Sequence, residues 1–169
     1  MIPFYISIVI NNHELTLDDS LFRKTLVAFD GSEHSERALD YAAKEATHCE
    51  GELIVLTVIP EVFVPTFTTP GAGNVTPYIR DYKEKIKEEY SHMRRIAEKE
   101  LKEKYPNLKV ISLLIEGRPA SIICDEAEKM DVSVIVISSR GLHGVERWVL
   151  GSTSRRVVDD CKRPILIVK

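Results

Sequence analysis

The sequence predicts an α/β fold: a doubly wound, open parallel sheet of five strands with helices on both faces. Five short, nearly continuous apolar runs recur along the chain, and segments with helical periodicity separate them. Strands covered on both faces have this continuous apolar character, and the alternation is typical of parallel strands joined by crossover helices. The chain has 169 residues, of which 44% are hydrophobic, which suits a single domain with its own core.

Composition excludes several classes of function. Lys and Arg number 23 and Asp and Glu number 26, a net charge of −3, which argues against a general role in coating DNA or anionic membranes. The three cysteines, Cys49, Cys124 and Cys161, lie far apart without zinc-ligand spacing, so we expect three thiols and neither a disulfide framework nor a zinc site. We therefore expect a cytoplasmic protein without a nucleic-acid or membrane partner.

Residues 1–20 are predicted to be an N-terminal extension, and residues 21–169 the domain. The extension begins with the apolar run MIPFYISIVI, which is shorter than the roughly 20 residues that span a bilayer and lacks the basic region and cleavage site of a signal peptide. We expect an extra strand or an arm that packs on the domain or on a partner.

The first predicted strand covers residues 24–30 (KTLVAFD), and the first helix follows with Ser32 as its N-cap. Leu39, Ala42, Ala43 and Ala46 recur at helical spacing. Gly51 stands where a glycine would end the helix. The second predicted strand covers residues 53–59 and ends at Pro60.

The segment from Pro60 to Pro77 holds four prolines and two glycines without periodicity, which predicts a long lid or binding loop. In the long helix that follows, apolar residues recur every three or four positions, and we expect them to face the core; a ligand-binding or nucleic-acid-binding aromatic face is the alternative. The stripe consists of Tyr78, Ile79, Tyr82, Ile86, Tyr90, Met93, Ala97 and Leu101.

The rest of the chain repeats the alternation. Residues 110–114 are the third predicted strand, and Pro119 opens a helix. Residues 132–137 form the fourth strand, a helix runs from about Ser152 to Cys161, and the fifth strand runs from Pro164 to Lys169 (PILIVK). The inner face of the helix that Pro119 opens is predicted to be Ala120, Ile123, Ala127 and Met130.

Two segments offer chemistry at the carboxyl ends of these strands, where open α/β sheets bind ligands. The first is Asp30-Gly31-Ser32, and the second is the loop that begins at Ser138. They meet only if the first and fourth predicted strands are neighbours. The second loop combines Gly141, which permits close backbone approach, with a helix start at Gly151-Ser152 that presents N–H groups to an anion. This combination suits phosphate groups, with the Asp30 carboxylate placed for a ribose hydroxyl or a metal ion.

A purely structural interpretation is also open, in which the glycines only turn the chain and Ser152 only caps a helix. The P-loop, the dinucleotide-binding G-x-G-x-x-G, the H-E-x-x-H and the G-x-S-x-G patterns do not occur. His34 and His143 are isolated imidazoles near the predicted mouth. Arginines surround the second loop: Arg140, Arg147, Arg155 and Arg156.

From about residue 21 to residue 169 the chain resembles the universal stress protein family. The run VAFDGSEHSERA (residues 27–38), the VIP that ends at Pro60 and the closing RPILIV are similar to that family. Most specific is the nucleotide-binding pattern G-x2-G-x9-G-[ST], which Gly141, Gly151 and Ser152 match in register. Ser138 stands at its first glycine and leaves two alternatives: its side chain clashes with the nucleotide, or its hydroxyl donates a hydrogen bond to a phosphate.

The resemblance implies the strand order 3-2-1-4-5 of an adenine nucleotide alpha hydrolase-like fold. It also implies ATP with Mg²⁺ or Mn²⁺, with the adenine beside Ala28 and Val58 and the ribose or metal near Asp30, and a homodimer paired through the last strand. The expected nucleotide-binding residues are Ala28, Asp30, Val58, Ser138, Arg140, Gly141, Gly151, Ser152 and Thr153.

Three hypotheses about function follow. The first is an ATP-binding stress-response sensor or regulator, for which any hydrolysis is slow because no obvious activating base is present. The second is a nucleotide-free dimeric interaction module in which Ser138 closes the site and the Pro60–Pro77 loop or the N-terminal arm binds an unknown protein partner. The third is a phosphotransfer protein with Asp30 as the acceptor.

Overall fold

The computed structural model describes residues 6–9, 21–61, 76–140 and 150–169, with backbone only for residues 6–9 and 76–78. Gly141, His143 and Arg147 lie outside the described residues, as does most of the predicted loop between Pro60 and Pro77. The elements in chain order are β1 (Ile6–Val9), β2 (Lys24–Ala28), α1 (Glu33–His48), β3 (Glu52–Pro60), α2 (Thr76–Lys104), β4 (Lys109–Gly117), α3 (Pro119–Lys129), β5 (Val134–Ser138), α4 (Ser152–Asp160) and β6 (Ile165–Val168).

The sheet has the order β1-β6-β5-β2-β3-β4. The neighbouring pairs among β2 to β6 are all parallel, so the predicted order 3-2-1-4-5 is confirmed. The strand β1 adds to this unit in the antiparallel direction and pairs with β6 from Ile6 opposite Val168 to Val9 opposite Ile165. The division of the chain into a 1–20 extension and a 21–169 domain stays a prediction.

Two apolar layers cover the sheet, as the continuous apolar strands predict. On one face, α1 and the C-terminal part of α2 pack through Leu39, Ala43 and Leu101. On the other face, α3 and α4 pack through Ile123 and Val157. The buried strand residues alternate between the two layers because successive side chains of a strand point to opposite faces.

The helix α1 begins as predicted and ends differently. The Ser32 hydroxyl accepts a hydrogen bond from the backbone N–H of Ser35, the expected N-cap. At the other end Glu50, with φ 50°, takes the left-handed position that was predicted for Gly51. Gly51 is required for a different reason: a Cβ there would lie 2.3 Å from the carbonyl oxygen of Phe22.

The predicted apolar stripe of α2 faces the core only toward the C-terminal end. Ala97 and Leu101 are buried, whereas Tyr82 is 54% exposed and Tyr90 lies in the cleft described below. The prediction is therefore wrong for Tyr82 and Tyr90, because the sheet is shorter than this 29-residue helix. No helix among the described residues is long and apolar enough to cross a membrane.

The expectation of three thiols is wrong, since Cys124 and Cys161 form a disulfide. Cys124 lies within α3 and Cys161 directly follows α4, with 5.1 Å between their Cα atoms. Their separation of 37 residues in sequence gave no sign of this contact, because it is produced by the packing of α3 against α4. Cys49 remains a half-buried thiol.

Candidate functional site

A cleft of about 270 Å³ opens at the carboxyl ends of β2, β3 and β5. This volume is close to the lower limit of about 300 Å³ that is usual for small-molecule pockets. The cleft lies between the two central strands β2 and β5, where the winding of the sheet reverses. Its lining consists of Ala28, Phe29, Asp30, Leu56, Val58, Pro60, Tyr90, Pro119, Ile123, Ile137, Ser138, Arg140, Gly151, Ser152, Thr153 and Ser154.

The structure brings the described candidates from the sequence together in this one cleft, while Gly141 lies outside the described residues. Arg155 and Arg156 are exposed on α4 and do not line it. Val58 was predicted to lie in the site, whereas Leu56, Ile123 and Tyr90, which also line the cleft, were missed. Residue alternation along β3 could have found Leu56, because Leu56 and Val58 share a strand face.

The turn after β2 is held by its own side chains. The Oδ1 atom of Asp30 accepts hydrogen bonds from the backbone N–H of Ser32 at 3.0 Å and from its hydroxyl at 2.7 Å. The Ser35 hydroxyl donates to the Ser32 carbonyl at 2.9 Å. The sequence D-G-S-x-x-S thus folds into an aspartate turn joined to a helix cap, and this turn fixes the position of the carboxylate.

Gly31 is the residue of this turn that another amino acid cannot replace without strain. Its φ is +77°, a conformation that costs a residue with a Cβ about 1 kcal/mol or more. A Cβ there would also lie 2.0 Å from the sulfur of Met93 on α2. Gly31 is therefore a structural glycine, and it lets α2 cross close to the cleft.

The turn after β5 is tied back to the sheet through the backbone. The N–H of Ser139 donates to the carbonyl of Val168 at 2.8 Å, and the N–H of Gly151 donates to the carbonyl of Ser139 at 2.9 Å. The Ser154 hydroxyl donates to the carbonyls of Ser139 and Gly151. These bonds hold the start of α4 beside the end of β5.

Ser138, which stands at the first glycine of the pattern, uses its hydroxyl within this turn. The hydroxyl donates to the carbonyl of Arg140, and the residue is 6% exposed. The two readings of Ser138 from sequence were a steric clash with a nucleotide and a hydrogen bond to a phosphate. In the structure the proton of the hydroxyl is engaged by the protein itself.

Gly151 differs from Gly31 in that the described structure does not require a glycine there. Its φ is −59°, which any residue adopts. Among the described residues, the nearest atoms to a Cβ at this position would be Ser154 Oγ at 3.5 Å and the Ser139 carbonyl oxygen at 3.6 Å, ordinary contact distances. As the N-cap of α4, Gly151 precedes backbone N–H groups that have no partner within the helix and favour an anion.

The character of the cleft changes from one side to the other. The β3 and α3 side presents Leu56, Val58 and Ile123, whereas the β5 and α4 side presents Arg140 and the hydroxyls of the first turn of α4. Such a division suits a ligand with an apolar ring at one end and anionic groups at the other.

Tyr90 places a neutral hydroxyl in the same cleft. Burial raises the pKa of this phenol above its ordinary value of 10.0, and the nearby negative charge of Asp30 raises it further. The phenol therefore keeps its proton at neutral pH and offers a hydrogen-bond donor near Asp30.

The described residues do not form a metal site on their own, since no three of their His, Cys, Asp or Glu side chains cluster. Among the described residues that line the cleft, Asp30 is the one carboxylate, and its Oδ1 already accepts two hydrogen bonds. Mg²⁺ in nucleotide sites commonly binds through one or two carboxylates and the phosphates. The residues thus fit an ion that arrives with phosphate oxygens.

Taken together, fold and cleft define an open doubly wound α/β domain with a ligand cleft at the point where the winding reverses. The universal stress protein family model matches residues 21–169. The universal stress protein YxiE of Bacillus subtilis is 34% identical over 150 residues, which are 88% of this chain and all of that protein. The chain belongs to the universal stress protein family.

Solved structures agree with this fold. The chain matches the universal stress protein UspA from Lactobacillus plantarum with a TM-score of 0.73 and 18% identity over 87% of this chain and 98% of that one. It matches the Archaeoglobus fulgidus universal stress protein in complex with dAMP with a TM-score of 0.58 and 22% identity over 88% of this chain and 99% of that one.

Proposed function

We propose that this protein binds ATP, accompanied by Mg²⁺ or Mn²⁺, and acts in the cytoplasm as a stress-response sensor or regulator. The start of α4 carries the proposal: Gly151 is its N-cap and lines the cleft together with Ser152 and Thr153, so the backbone N–H groups of the first turn, which have no partner within the helix, lie at the cleft. A phosphate group is the kind of ligand that a helix N-terminus holds. The dAMP bound by a relative of the same fold supports an adenine nucleotide.

In this proposal each side of the cleft holds one part of the nucleotide. The adenine lies against Ala28 and Val58, and the ribose or the metal ion faces Asp30. The phosphates lie against Ser138, Arg140, Gly141, Gly151, Ser152 and Thr153, where N–H groups, hydroxyls and one guanidinium converge.

Calorimetric titration of the full chain with ATP, with and without Mg²⁺, tests the proposal. Saturable binding that Mg²⁺ strengthens is the expected result. Asp30→Asn keeps the Oδ1 acceptor of the turn and removes the charge, so it should abolish most of the Mg²⁺ effect while the fold persists. Absence of binding at millimolar ATP would overturn the proposal.

The second candidate is a nucleotide-free interaction module, and the Ser138 hydroxyl favours it. Because this hydroxyl donates to the Arg140 carbonyl, it is already occupied by the protein and is not needed for a ligand. The substitution Ser138→Gly separates the two candidates.

We also propose a homodimer that pairs through the last strand, β6. The position of β1 affects how such a dimer can form. One side of β6 pairs with β5 and the other with β1, so a partner strand can pair there only after β1 leaves. Deletion of residues 1–20 should therefore raise the fraction of dimer measured by light scattering. A Ser7→Pro substitution, which removes a backbone donor from β1, should act in the same direction. If neither variant changes the mass, the last strand is not the dimer contact.

A further inference from the structure

The disulfide lies between the two helices that border one side of the cleft. Ile123, next to Cys124 in α3, lines the cleft and is 2% exposed. The residues Gly151 to Ser154 at the start of α4 line it as well. The bond therefore joins two elements whose spacing shapes the cleft.

The helix α4 is bonded to the rest of the domain at both ends of its buried face. Ser154, Val157 and Cys161 are buried and are spaced by three and four residues, so they share one face of the helix. Ser154 is bonded to the Ser139 carbonyl at the cleft end, and Cys161 is bonded to Cys124 at the far end.

The disulfide also closes a covalent loop of 37 residues. That loop contains the end of β5 and the start of α4, and so it carries Ser138, Arg140 and Gly151. Closing a loop reduces the number of conformations that the segment inside it can reach when it opens or unfolds. Half of the candidate site thus lies inside a covalent ring.

The two cysteine residues differ in exposure. Cys124 is half-buried, whereas Cys161 is 3% exposed. We therefore expect an incoming disulfide to react first at Cys124, and Cys161 to complete the exchange. The proposed cytoplasmic location is a further premise, because a disulfide in a cytoplasmic protein is usually transient and redox-sensing, and a more exposed cysteine paired with a buried one suits reversible exchange.

We propose that Cys124 and Cys161 are a reversible redox modification site whose substrate is a small disulfide such as glutathione disulfide, and that its oxidation tightens the α4 side of the cleft. The Cys124 thiolate attacks glutathione disulfide, which forms a mixed disulfide and releases one glutathione thiolate. The Cys161 thiolate then attacks the Cys124 sulfur and releases the second. The two cysteines lose two electrons, one glutathione disulfide becomes two glutathione thiols, and these take up the two cysteine protons.

The effect on the cleft is expected to be moderate because a second contact holds the far end of α4. The Arg163 guanidinium donates to Glu128 at the end of α3 and to the carbonyl of Val132 and forms an ion pair with Asp131 at 2.8 Å. Reduction therefore loosens α4 without releasing it.

The first measurement is independent of nucleotide. The full chain is equilibrated in glutathione buffers of graded ratio, and reactive thiols are counted with a maleimide under denaturing conditions. Three labels are expected in the reduced form and one in the oxidised form, with a single two-electron transition. Cys49→Ser, the matched control, should show two and none. If three labels persist in excess glutathione disulfide, the proposal is overturned.

The second measurement is amide hydrogen exchange of a peptide covering the start of α4 in the oxidised and chemically reduced wild-type protein. Exchange about fivefold faster in the reduced form is expected, within the usual range of coupling between sites. Cys124→Ser should match the reduced form without any reductant. Identical exchange in the two forms would overturn the link to the cleft, even if the disulfide forms.

The consequence for ligand binding rests on the proposed function. ATP should bind about fivefold more weakly to the reduced form. If neither form binds ATP, the proposed function fails, while the thiol count and the hydrogen exchange still decide the redox site.

Discussion

The two turns that border the cleft differ in the hydrogen bonds that hold them and in the surroundings of their glycines. The turn after β2 is closed by its own side chains around Asp30, and its glycine is demanded by a positive φ and by Met93. The turn after β5 is tied to the sheet by backbone hydrogen bonds, and Gly151 has neither an unusual φ nor a close neighbour among the described residues. The first glycine is thus explained by the conformation of its own turn, and the described residues give no structural reason for the second.

The largest effect is expected for Gly31→Ala. The left-handed φ should lower the free energy of unfolding by about 1–2 kcal/mol, measured by urea denaturation, and the flexible Met93 side chain should move aside for the new Cβ at a smaller cost. Adding Met93→Ala should recover part of this loss, because it removes the atoms that the new Cβ meets. A loss below about 0.5 kcal/mol would show that the turn relaxes and that the contrast with Gly151 is wrong.

Gly151→Ala tests the other half of the comparison. Its stability should fall by no more than about 1 kcal/mol, the usual cost of alanine at an N-cap position. ATP affinity should fall about tenfold, equivalent to about 1.4 kcal/mol, because the Cβ occupies the place where a phosphate approaches. The two quantities are measured by urea denaturation and calorimetry. If stability falls further and affinity does not, Gly151 is a structural glycine like Gly31.

Ser138→Gly is expected to have the next smaller effect, and it separates the two candidate functions. Loss of the hydrogen bond to the Arg140 carbonyl should lower the free energy of unfolding by about 1 kcal/mol. If the natural chain binds ATP, affinity should change less than about threefold, or less than 1 kcal/mol. A large gain in affinity would instead indicate that the serine has closed the site and would favour the nucleotide-free module.

The smallest effect is expected outside both turns, at the contact between α1 and α2. Burial alone would raise the pKa of Asp40, but hydrogen bonds from Lys104 and Tyr105 outweigh it, so the pKa lies below its ordinary value of 3.8. Because the folded-state pKa is the lower one, this carboxylate stabilises the fold above the unfolded-state pKa.

That stabilisation should disappear as the pH falls through the folded-state pKa. The difference in unfolding free energy between the wild type and Asp40→Asn should therefore be constant at neutral pH and vanish in strong acid. Both should bind ATP equally. A difference that grows in acid would contradict the assignment.

Local chemistry explains why much of the fold was predictable. The five apolar runs became β2 to β6 because strands covered on both faces must be apolar throughout. Ser32 became an N-cap because its hydroxyl reaches the N–H of Ser35 within the same turn. The strand order came from the family resemblance, since the apolar runs alone do not say which strands are neighbours.

The wrong predictions concern contacts between elements that are distant in sequence. Tyr82 follows the same helical period as Leu101, yet only Leu101 reaches the sheet. Gly51 was predicted to end the helix α1. Instead, a glycine is needed there because a Cβ would lie 2.3 Å from the carbonyl oxygen of Phe22, just before β2. In both cases periodicity or local chemistry was correct, and the partner that decided the outcome lay on another element.

By itself, the sequence determined the alternation of strands and helices, the self-contained turn at Asp30 and the pattern of residues at Ser138, Gly151 and Ser152. These are properties of neighbouring residues, and short-range hydrogen bonding and side-chain period specify them. Only the tertiary structure decided that β1 covers the edge of β6, that Cys124 meets Cys161, and that Gly31 takes a left-handed φ beside Met93. Each depends on which surfaces come into contact when the sheet and its two helical layers assemble. The spacing of residues along the sequence does not specify those contacts.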